Sequence, residues 1–176
     1  MNPPIRATFC LLLALMGLTT CAVHKDRIPA ASLGSWVVYW DGERGLKELE
    51  THGRLFDRVS LFAYELGPEG RPQPAPGVKE IMPRFFSLSG VHGFSAWVTL
   101  VNDWRAPEGV FLKETDRLRQ LLSDPSRREM HIRSIVDLIR NDGFAGLDLD
   151  YESFSSEDAP VLTALVKGLS EGAVKG

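Results

Sequence analysis

Cysteine is scarce in this sequence, and neither charge is in clear excess. The 176 residues contain two cysteines, Cys10 and Cys21, and carry 20 Lys and Arg against 23 Asp and Glu, a formal net charge of −3. A near-neutral chain with no basic stripe gives no support for binding to nucleic acid. Both cysteines lie close to the N-terminus, so we expect the mature protein to contain no internal disulfide and to depend on its core for stability.

Internal repeats and low-complexity tracts are also absent, apart from a Pro-rich segment at residues 67–77. The composition, 44% hydrophobic and 24% charged, is ordinary for a globular protein. The length is sufficient for one domain with a substantial core. We expect that domain to be a monomer.

The first 22 residues have the layout of a secretory signal peptide. Residues 1–6 carry one basic side chain and the α-amino group, and residues 7–20 contain no charge. This run is too short to span a bilayer comfortably. Its apolar residues go all round rather than forming one stripe, which argues against a buried N-terminal helix. We therefore expect residues 1–22 to direct export from a bacterial cell, with residues 23–34 as a linker.

The segment before Cys21 resembles the lipoprotein box of bacterial signal peptides. The resemblance rests on Leu18-Thr19-Thr20-Cys21, with Thr20 where those signals usually have Gly, Ala or Ser. It implies that Cys21 carries lipid, becomes the new N-terminus and anchors the protein in the cell envelope. Ordinary cleavage after Ala22, with secretion, is the competing interpretation.

Strand patterns alternate with helix patterns from residue 35 onward. Strands are predicted at residues 35–40, 58–64, 94–101 and 144–151. Helices are predicted at residues 43–52, within 78–91, from Pro125 to just before Gly143, and from about residue 155. Pro83 is expected to start the second helix, and residues 67–77 to form an irregular loop. This order predicts parallel βα units, either of a doubly wound sheet or of the first half of a (β/α)₈ TIM barrel.

The segment from Phe144 to Glu152 places three carboxylates on one side of a strand. Because strand side chains alternate, one face has Ala145, Leu147, Leu149 and Tyr151, and the other has Gly146, Asp148, Asp150 and Glu152. Like charges in a low-dielectric interior raise one another's pKa, so at least one carboxyl is expected to hold a proton near neutral pH. A protonated carboxyl beside ionised ones is what general acid catalysis needs.

Three other interpretations of this row are open. It could be a solvated strand face, although parallel strands are usually covered on both sides. It could be a calcium loop, although Leu147 and Leu149 stand where such a loop has Gly and polar residues. Two aspartates could hold Mg²⁺, although no phosphate loop accompanies them. We favour a glycosidase site over these alternatives.

The segment resembles the signature of family 18 glycoside hydrolases, the chitinases and related N-acetylglucosaminidases. That signature is Asp-Gly-x-Asp-x-Asp-x-Glu on the fourth barrel strand, and it is matched by Gly146, Asp148, Asp150 and Glu152, with Ala145 in place of the first Asp. Supporting similarity to the spore-germination and peptidoglycan-active branch covers nearly everything after residue 34. The resemblance implies that residues 35–176 are the N-terminal half of such a barrel.

The resemblance also implies a retaining, substrate-assisted hydrolysis of β-linked N-acetylglucosamine in chitin or peptidoglycan. Glu152 would protonate the glycosidic oxygen, Asp150 would orient the acetamido N–H, and Asp148 would tune Asp150. The substrate's N-acetyl carbonyl would attack the anomeric carbon, and water would open the resulting oxazolinium ion. A polysaccharide is thus the implied partner, with no metal and no organic cofactor.

Further sugar-binding residues are predicted near the strand ends, where aromatic rings could stack on sugars: Trp40, Tyr64, Asn102, Tyr151 and, less strongly, Trp104. For each of them, a packed core or rim residue is an equally good interpretation. The histidines show no metal-ligand spacing, and His131 is interpreted as a surface or capping residue. Two other functions stay open: a barrel that binds glycan without turnover, and a truncated chain without activity, because an open half barrel exposes two strand edges.

Overall fold

The computed structural model describes residues 32–174. The predicted signal peptide at residues 1–22, with Cys21, lies outside the described residues, as does most of the predicted linker at 23–34. The elements follow in the order β1 (Gly34–Val38), α1 (Gly42–His52), β2 (Arg58–Leu66), β3 (Pro72–Pro74), α2 (Val78–His92), β4 (Ser95–Ala106), β5 (Gly109–Phe111), α3 (Thr115–Ser123), α4 (Pro125–Asp142), β6 (Gly146–Asp150) and α5 (Ala159–Val174).

Four strands form a parallel sheet in the order β1, β2, β4, β6. One level of this sheet runs from Val38 through Phe62 and Thr99 to Asp148. The carboxyl ends of all four strands therefore meet at one edge, which is where barrel enzymes place their active sites. The short strands β3 and β5 add antiparallel pairs to the far ends of β2 and β4.

The sheet is strongly curved. Neighbouring strands lie about 4.8 Å apart, so β1 and β6 would be separated by about 14 Å in a flat sheet of this order. In the structure the Trp36 indole nitrogen on β1 nevertheless lies 2.6 Å from a carboxylate oxygen of Asp148 on β6. The side chains of Trp36 and Asp148 can meet because the two outer strands curl toward each other.

The hydrophobic core lies between the convex face of the sheet and the helices. Every second residue of the central strands is fully buried there, including Val59, Leu61, Val98 and Leu100. The predicted apolar stripe of α4 packs onto this face, with Ile135 fully buried. The concave face is left for polar side chains, and it carries the carboxylates discussed below.

The structure corrects three details of the sequence-based prediction. Pro83 lies inside α2 rather than at its start, because the helix begins at Val78 to bury Val78, Ile81, Phe85 and Leu88. The segment at 67–77 contains β3, which pairs with the end of β2. The third crossover contains two helices, α3 and α4, so the chain is not a simple repeat of four βα units. Among residues 32–174, no helix is long and apolar enough to cross a membrane.

Candidate functional site

Asp148 lies on the concave face and is held by side chains from β4 beside it and from β1, the opposite outer strand. The same carboxylate oxygen accepts a hydrogen bond from the Trp36 indole nitrogen at 2.6 Å and one from the Thr99 hydroxyl at 3.0 Å. Thr99 is opposite Asp148 in the register of β4 and β6. Asp148 is thus fixed as a hydrogen-bond acceptor below the rim of the sheet.

Gly146 leaves room for the ring of Trp97, which lies against the start of β6. A Cβ at this position would lie 2.6 to 2.8 Å from three ring atoms of Trp97. Trp97 is opposite Gly146 in the sheet register, and its indole nitrogen donates to the Ser95 hydroxyl at 3.1 Å. The glycine of the carboxylate motif is therefore required by packing against Trp97.

Asp150 lies between Asp148 and Glu152 in the row, and the charges of both act on its carboxyl. Burial raises the pKa of Asp150, and the charges of Glu152 and Asp148 raise it further, while Lys113 acts in the opposite direction. This is the mutual effect that the alternation of the strand predicts. A carboxyl with a raised pKa between two other carboxyls can share or move a proton within the row.

Glu152 follows the end of β6 and is held mainly through its backbone. Its N–H donates to Asn102 Oδ1 at 3.0 Å, and its carbonyl accepts from Asn102 Nδ2 at 3.1 Å and from the Thr115 hydroxyl at 3.2 Å. Its carboxylate is 46% exposed and forms an ion pair with the Lys113 ammonium. This contact raises the pKa of Lys113.

An open cleft lies above the carboxyl ends of the strands. Asp150 and Glu152 line one side, and the remaining wall includes Trp40, Phe62, Glu65, Asp103, Leu112 and Lys113. The Trp40 ring is 64% exposed and packs edge-on against Phe62, with ring centroids 5.3 Å apart. The cleft thus combines carboxyls with an exposed aromatic surface, a combination suited to a sugar ring.

Two residues predicted to bind sugar point away from this cleft. Tyr64 borders it, but its ring packs against Phe144 with centroids 6.5 Å apart, and its hydroxyl donates to Asp142. The cause is a β-bulge at Ala63, which puts Tyr64 on the same face as the buried Leu100.

Tyr151 faces the helices, as strand alternation requires, and lies against His131 of α4. Its hydroxyl lies 2.8 Å from His131 Nε2. His131 itself is 2% exposed, which corrects its interpretation as a surface residue. Trp104 is also buried, at 6% exposure, in line with the alternative that it is a packed residue.

The structure adds polar groups that the sequence-based prediction missed. Glu65, turned into the cleft beyond the bulge, is 3% exposed and forms a two-pronged pair with Arg105, whose Nη2 lies 3.1 Å from Oε2. Lys113 has a left-handed backbone, with φ of 52°, and its N–H donates to Asp103 at 2.8 Å. The alternation of β4 could have indicated Thr99, but no local pattern indicates Lys113, which lies in a turn.

Within the described part of the chain, no group of three or more His, Cys, Asp or Glu side chains has the arrangement of a metal site. The row from Asp148 to Glu152 is spread along a strand rather than gathered around one point.

Several solved structures are similar to this chain in fold. The sequence matches no family model and no curated protein. A family 18 chitinase from Cycas revoluta, in complex with (GlcNAc)3, is similar with a TM-score of 0.64 and 21% identity, over 80% of this chain and 40% of that one. A chitinase from Bacteroides thetaiotaomicron gives 0.62 and 16%, over 78% and 42%. The spore cortex-lytic enzyme SleL from Bacillus cereus gives 0.62 and 14%, over 80% and 32%.

This chain therefore spans less than half the length of the solved structures that it resembles. At these identities the likeness shows the fold. The described residues form a curled sheet with outer helices, consistent with part of the TIM-barrel fold of these structures.

Proposed function

We propose that this protein is a glycosidase that hydrolyses β-linked N-acetylglucosamine glycans, with Glu152 as the proton donor. The observation that carries the proposal is the row of Asp148, Asp150 and Glu152 on the concave side of the sheet, at its carboxyl edge, with the pKa of Asp150 raised by burial and by its two neighbours. Such a row of partly buried like charges costs folding free energy.

Each acid of the row has surroundings that suit a distinct role. Glu152 is half exposed at the mouth of the cleft, within reach of a glycosidic oxygen. Asp150 lies one level lower, where its carboxyl can accept a hydrogen bond from a substrate acetamido N–H and exchange a proton with Glu152. Asp148 is held by Trp36 and Thr99 and acts on Asp150 through its charge.

The proposed reaction is substrate-assisted and retains the anomeric configuration. As Glu152 gives its proton to the leaving oxygen, the acetamido carbonyl oxygen bonds to the anomeric carbon and the glycosidic bond breaks. Glu152, now ionised, then takes a proton from the water that opens the oxazolinium ion. The atoms balance with water as the single co-reactant.

The glycan class is proposed from the fold relatives and from the cleft. One relative was solved with (GlcNAc)3 and another is a spore cortex-lytic enzyme. Trp40 offers an exposed ring beside the acids on which a sugar could stack. Chitin and peptidoglycan both contain the required N-acetylated sugar, and both are proposed substrates.

Export to the bacterial cell envelope is part of the same proposal. It rests on the charge and hydropathy pattern of residues 1–22 and on Cys21 as the lipid-bearing residue. A chain that acts on an extracellular polymer must reach it. Lipid on Cys21 can be tested by metabolic labelling with a fatty-acid analogue, with a Cys21→Ser variant as control.

Replacing Glu152 by Gln tests the catalytic proposal, because the amide keeps the shape of the side chain and cannot give up a proton. We expect turnover of fluorogenic N-acetylglucosamine oligomers and of peptidoglycan to fall about 10²- to 10⁴-fold, the usual contribution of general acid catalysis. Glycan binding should be kept. Glu157→Gln, an exposed carboxyl outside the cleft, is the matched control and should act like the wild type.

A second candidate function is glycan binding without turnover. It is favoured by the ion pair between Lys113 and Glu152, because this contact occupies the Glu152 carboxylate at the mouth of the cleft. If the wild type and Glu152→Gln bind glycan equally and neither turns it over, this second function replaces the first.

A further inference from the structure

Glu152 lies just beyond the last residue of β6 that pairs with the sheet. The last register pair between β4 and β6 joins Val101 and Asp150. At Ser153, the residue directly after Glu152, the backbone is in the left-handed region, with φ of 65°. Glu152 therefore lies between the end of a ladder and a turn, and a group other than the strand backbone must fix its orientation.

Asn102 supplies that group. Its side-chain amide pairs with both polar groups of the Glu152 backbone: Oδ1 accepts from the N–H at 3.0 Å, and Nδ2 donates to the carbonyl at 3.1 Å. Asn102 is 1% exposed. The Asn102 amide thus acts as a backbone peptide group would and extends the pairing past the end of β6, at the wall of the cleft.

The same residue also ties the turn after β5 to the site. The Asn102 carbonyl accepts from the Glu114 N–H at 2.9 Å, and the Thr115 hydroxyl donates to the Glu152 carbonyl at 3.2 Å. Both the strand that carries the proton donor and the turn that carries Lys113 are therefore attached through Asn102.

The chemistry of the pair is specific to an amide. Asparagine offers a donor and an acceptor side by side, which is what one peptide group presents to another. An ionised aspartate at this position would set a negative oxygen against the Glu152 carbonyl and would add a charge beside Asp150. Alanine would leave the buried N–H and carbonyl of Glu152 without these partners.

We propose that Asn102 is the positioning residue of the proton donor: it holds the Glu152 backbone so that the carboxyl points into the cleft, and it does not itself touch the glycan. This assignment rests on the proposed function of Glu152. It replaces the sequence-based prediction that Asn102 binds sugar.

The test combines a structural and a kinetic measurement on Asn102→Ala and Asn102→Asp, with the exposed Asn141→Ala as control. In Asn102→Ala we expect the Glu152 amide hydrogen to exchange at least about 10-fold faster by NMR, relative to the amides of β4. On N-acetylglucosamine oligomers, kcat should fall about 10- to 100-fold with KM within about twofold of the wild type, because a small displacement of a catalytic group affects the transition state.

Asn102→Asp provides the conservative comparison and a second route if the alanine variant does not fold. Below the pH at which its carboxyl takes up a proton, that group again offers a donor and an acceptor. The optimum of kcat should therefore shift to lower pH than in the wild type, an effect that a loss of general stability does not produce.

Three results would overturn the proposal: unchanged exchange at Glu152 in Asn102→Ala, faster exchange with unchanged kcat, or a raised KM with unchanged kcat, which would place Asn102 in contact with the sugar. A wild type that turns over no glycan refutes the proposed function instead. In that case, the exchange rate of the Glu152 amide hydrogen alone decides whether Asn102 positions Glu152.

Discussion

At the residue scale, the carboxylate motif reflects two separate physical demands. We propose that the aspartates serve the chemistry of the cleft, whereas Gly146 is required by its packing against Trp97. Trp97 cannot simply move aside, because its nitrogen is bonded to Ser95 and the Arg58 guanidinium lies 4.9 Å from its ring centroid. The spacing of one motif can thus combine a proposed catalytic requirement with a steric one.

Gly146→Ala should therefore destabilise the fold. Overpacking of this kind typically costs about 1–3 kcal/mol. Gly90→Ala is the matched control: its added Cβ meets nothing within 4 Å, and in the interior of α2 the change should stabilise by up to about 1 kcal/mol. Urea unfolding of both variants checks this, and equal midpoints for Gly146→Ala and the wild type would contradict the packing argument.

The residue scale also separates what alternation can and cannot predict. Placing Asp148 and Asp150 on one face needs only the two-residue period of a strand, and the structure agrees. The same rule makes Tyr151 face the helices, so its assignment to the sugar site conflicted with the alternation itself. Tyr64 differs: the bulge at Ala63 that turns it away depends on how β2 pairs with β4, and no local pattern reveals it.

At the scale of elements, one buried histidine joins three segments. His131 on α4 has Nδ1 2.7 Å from the Gly70 carbonyl and Nε2 2.8 Å from the Tyr151 hydroxyl. Because a carbonyl can only accept, Nδ1 carries the hydrogen and Nε2 accepts from the tyrosine. Burial lowers the pKa of His131 to about 4, and the bond to Gly70 opposes this only in part.

This pKa predicts a loss of stability in acid. The unfolded chain takes up the proton at its ordinary pKa near 6.5, whereas the folded protein resists until about pH 4. The contribution is therefore fully present above about pH 6.5 and is lost as the pH falls to about 4, by about 3 kcal/mol. Urea titrations across this range check it against His131→Gln, which should be less stable at neutral pH but lose less on acidification. Parallel curves for the two proteins would exclude His131 as the cause.

Capping signals within a few residues of a helix end predicted that end correctly for α4. Asp124 caps α4 through the N–H groups of Ser126 and Arg127, at 2.8 and 3.0 Å, as the sequence predicted. Pro83 shows the limit of such signals: a proline inside a helix is unfavourable by itself, but the burial of Phe85 and Leu88 outweighs it. The sequence could not show how much apolar area the helix would bury.

At the scale of the whole molecule, the two outer strands of the described sheet offer edges that could pair with a second copy. Within residues 32–174, β1 and β6 each pair with a strand on one side only. Inward-pointing charges are one of the ways in which proteins protect such edges. Asp148 and Asp150 on β6 would repel the same strand of a second copy, which supports the prediction of a monomer.

We therefore expect a monomer at neutral pH by sedimentation velocity, and concentration-dependent association of an Asp148→Asn, Asp150→Asn double variant. The raised pKa of Asp150 means that the wild type should begin to associate on acidification earlier than ordinary carboxyls would allow. A control that removes two charges from the outer helices, Asp137→Asn with Glu171→Gln, should stay monomeric. Equal association of the two double variants would show that net charge, and not the edge, matters.

The sequence by itself determined the alternation of strands and helices and the row of acids from Asp148 to Glu152, because both follow from the short periods of strands and helices. Only the tertiary structure decided what surrounds that row. Asn102, Lys113 and Trp36 reach the acids from elements about 40 to 110 residues away in the chain. The positions of these three side chains beside the acids depend on sheet curvature, strand register and turns. These are properties of the packed molecule that no single stretch of sequence encodes.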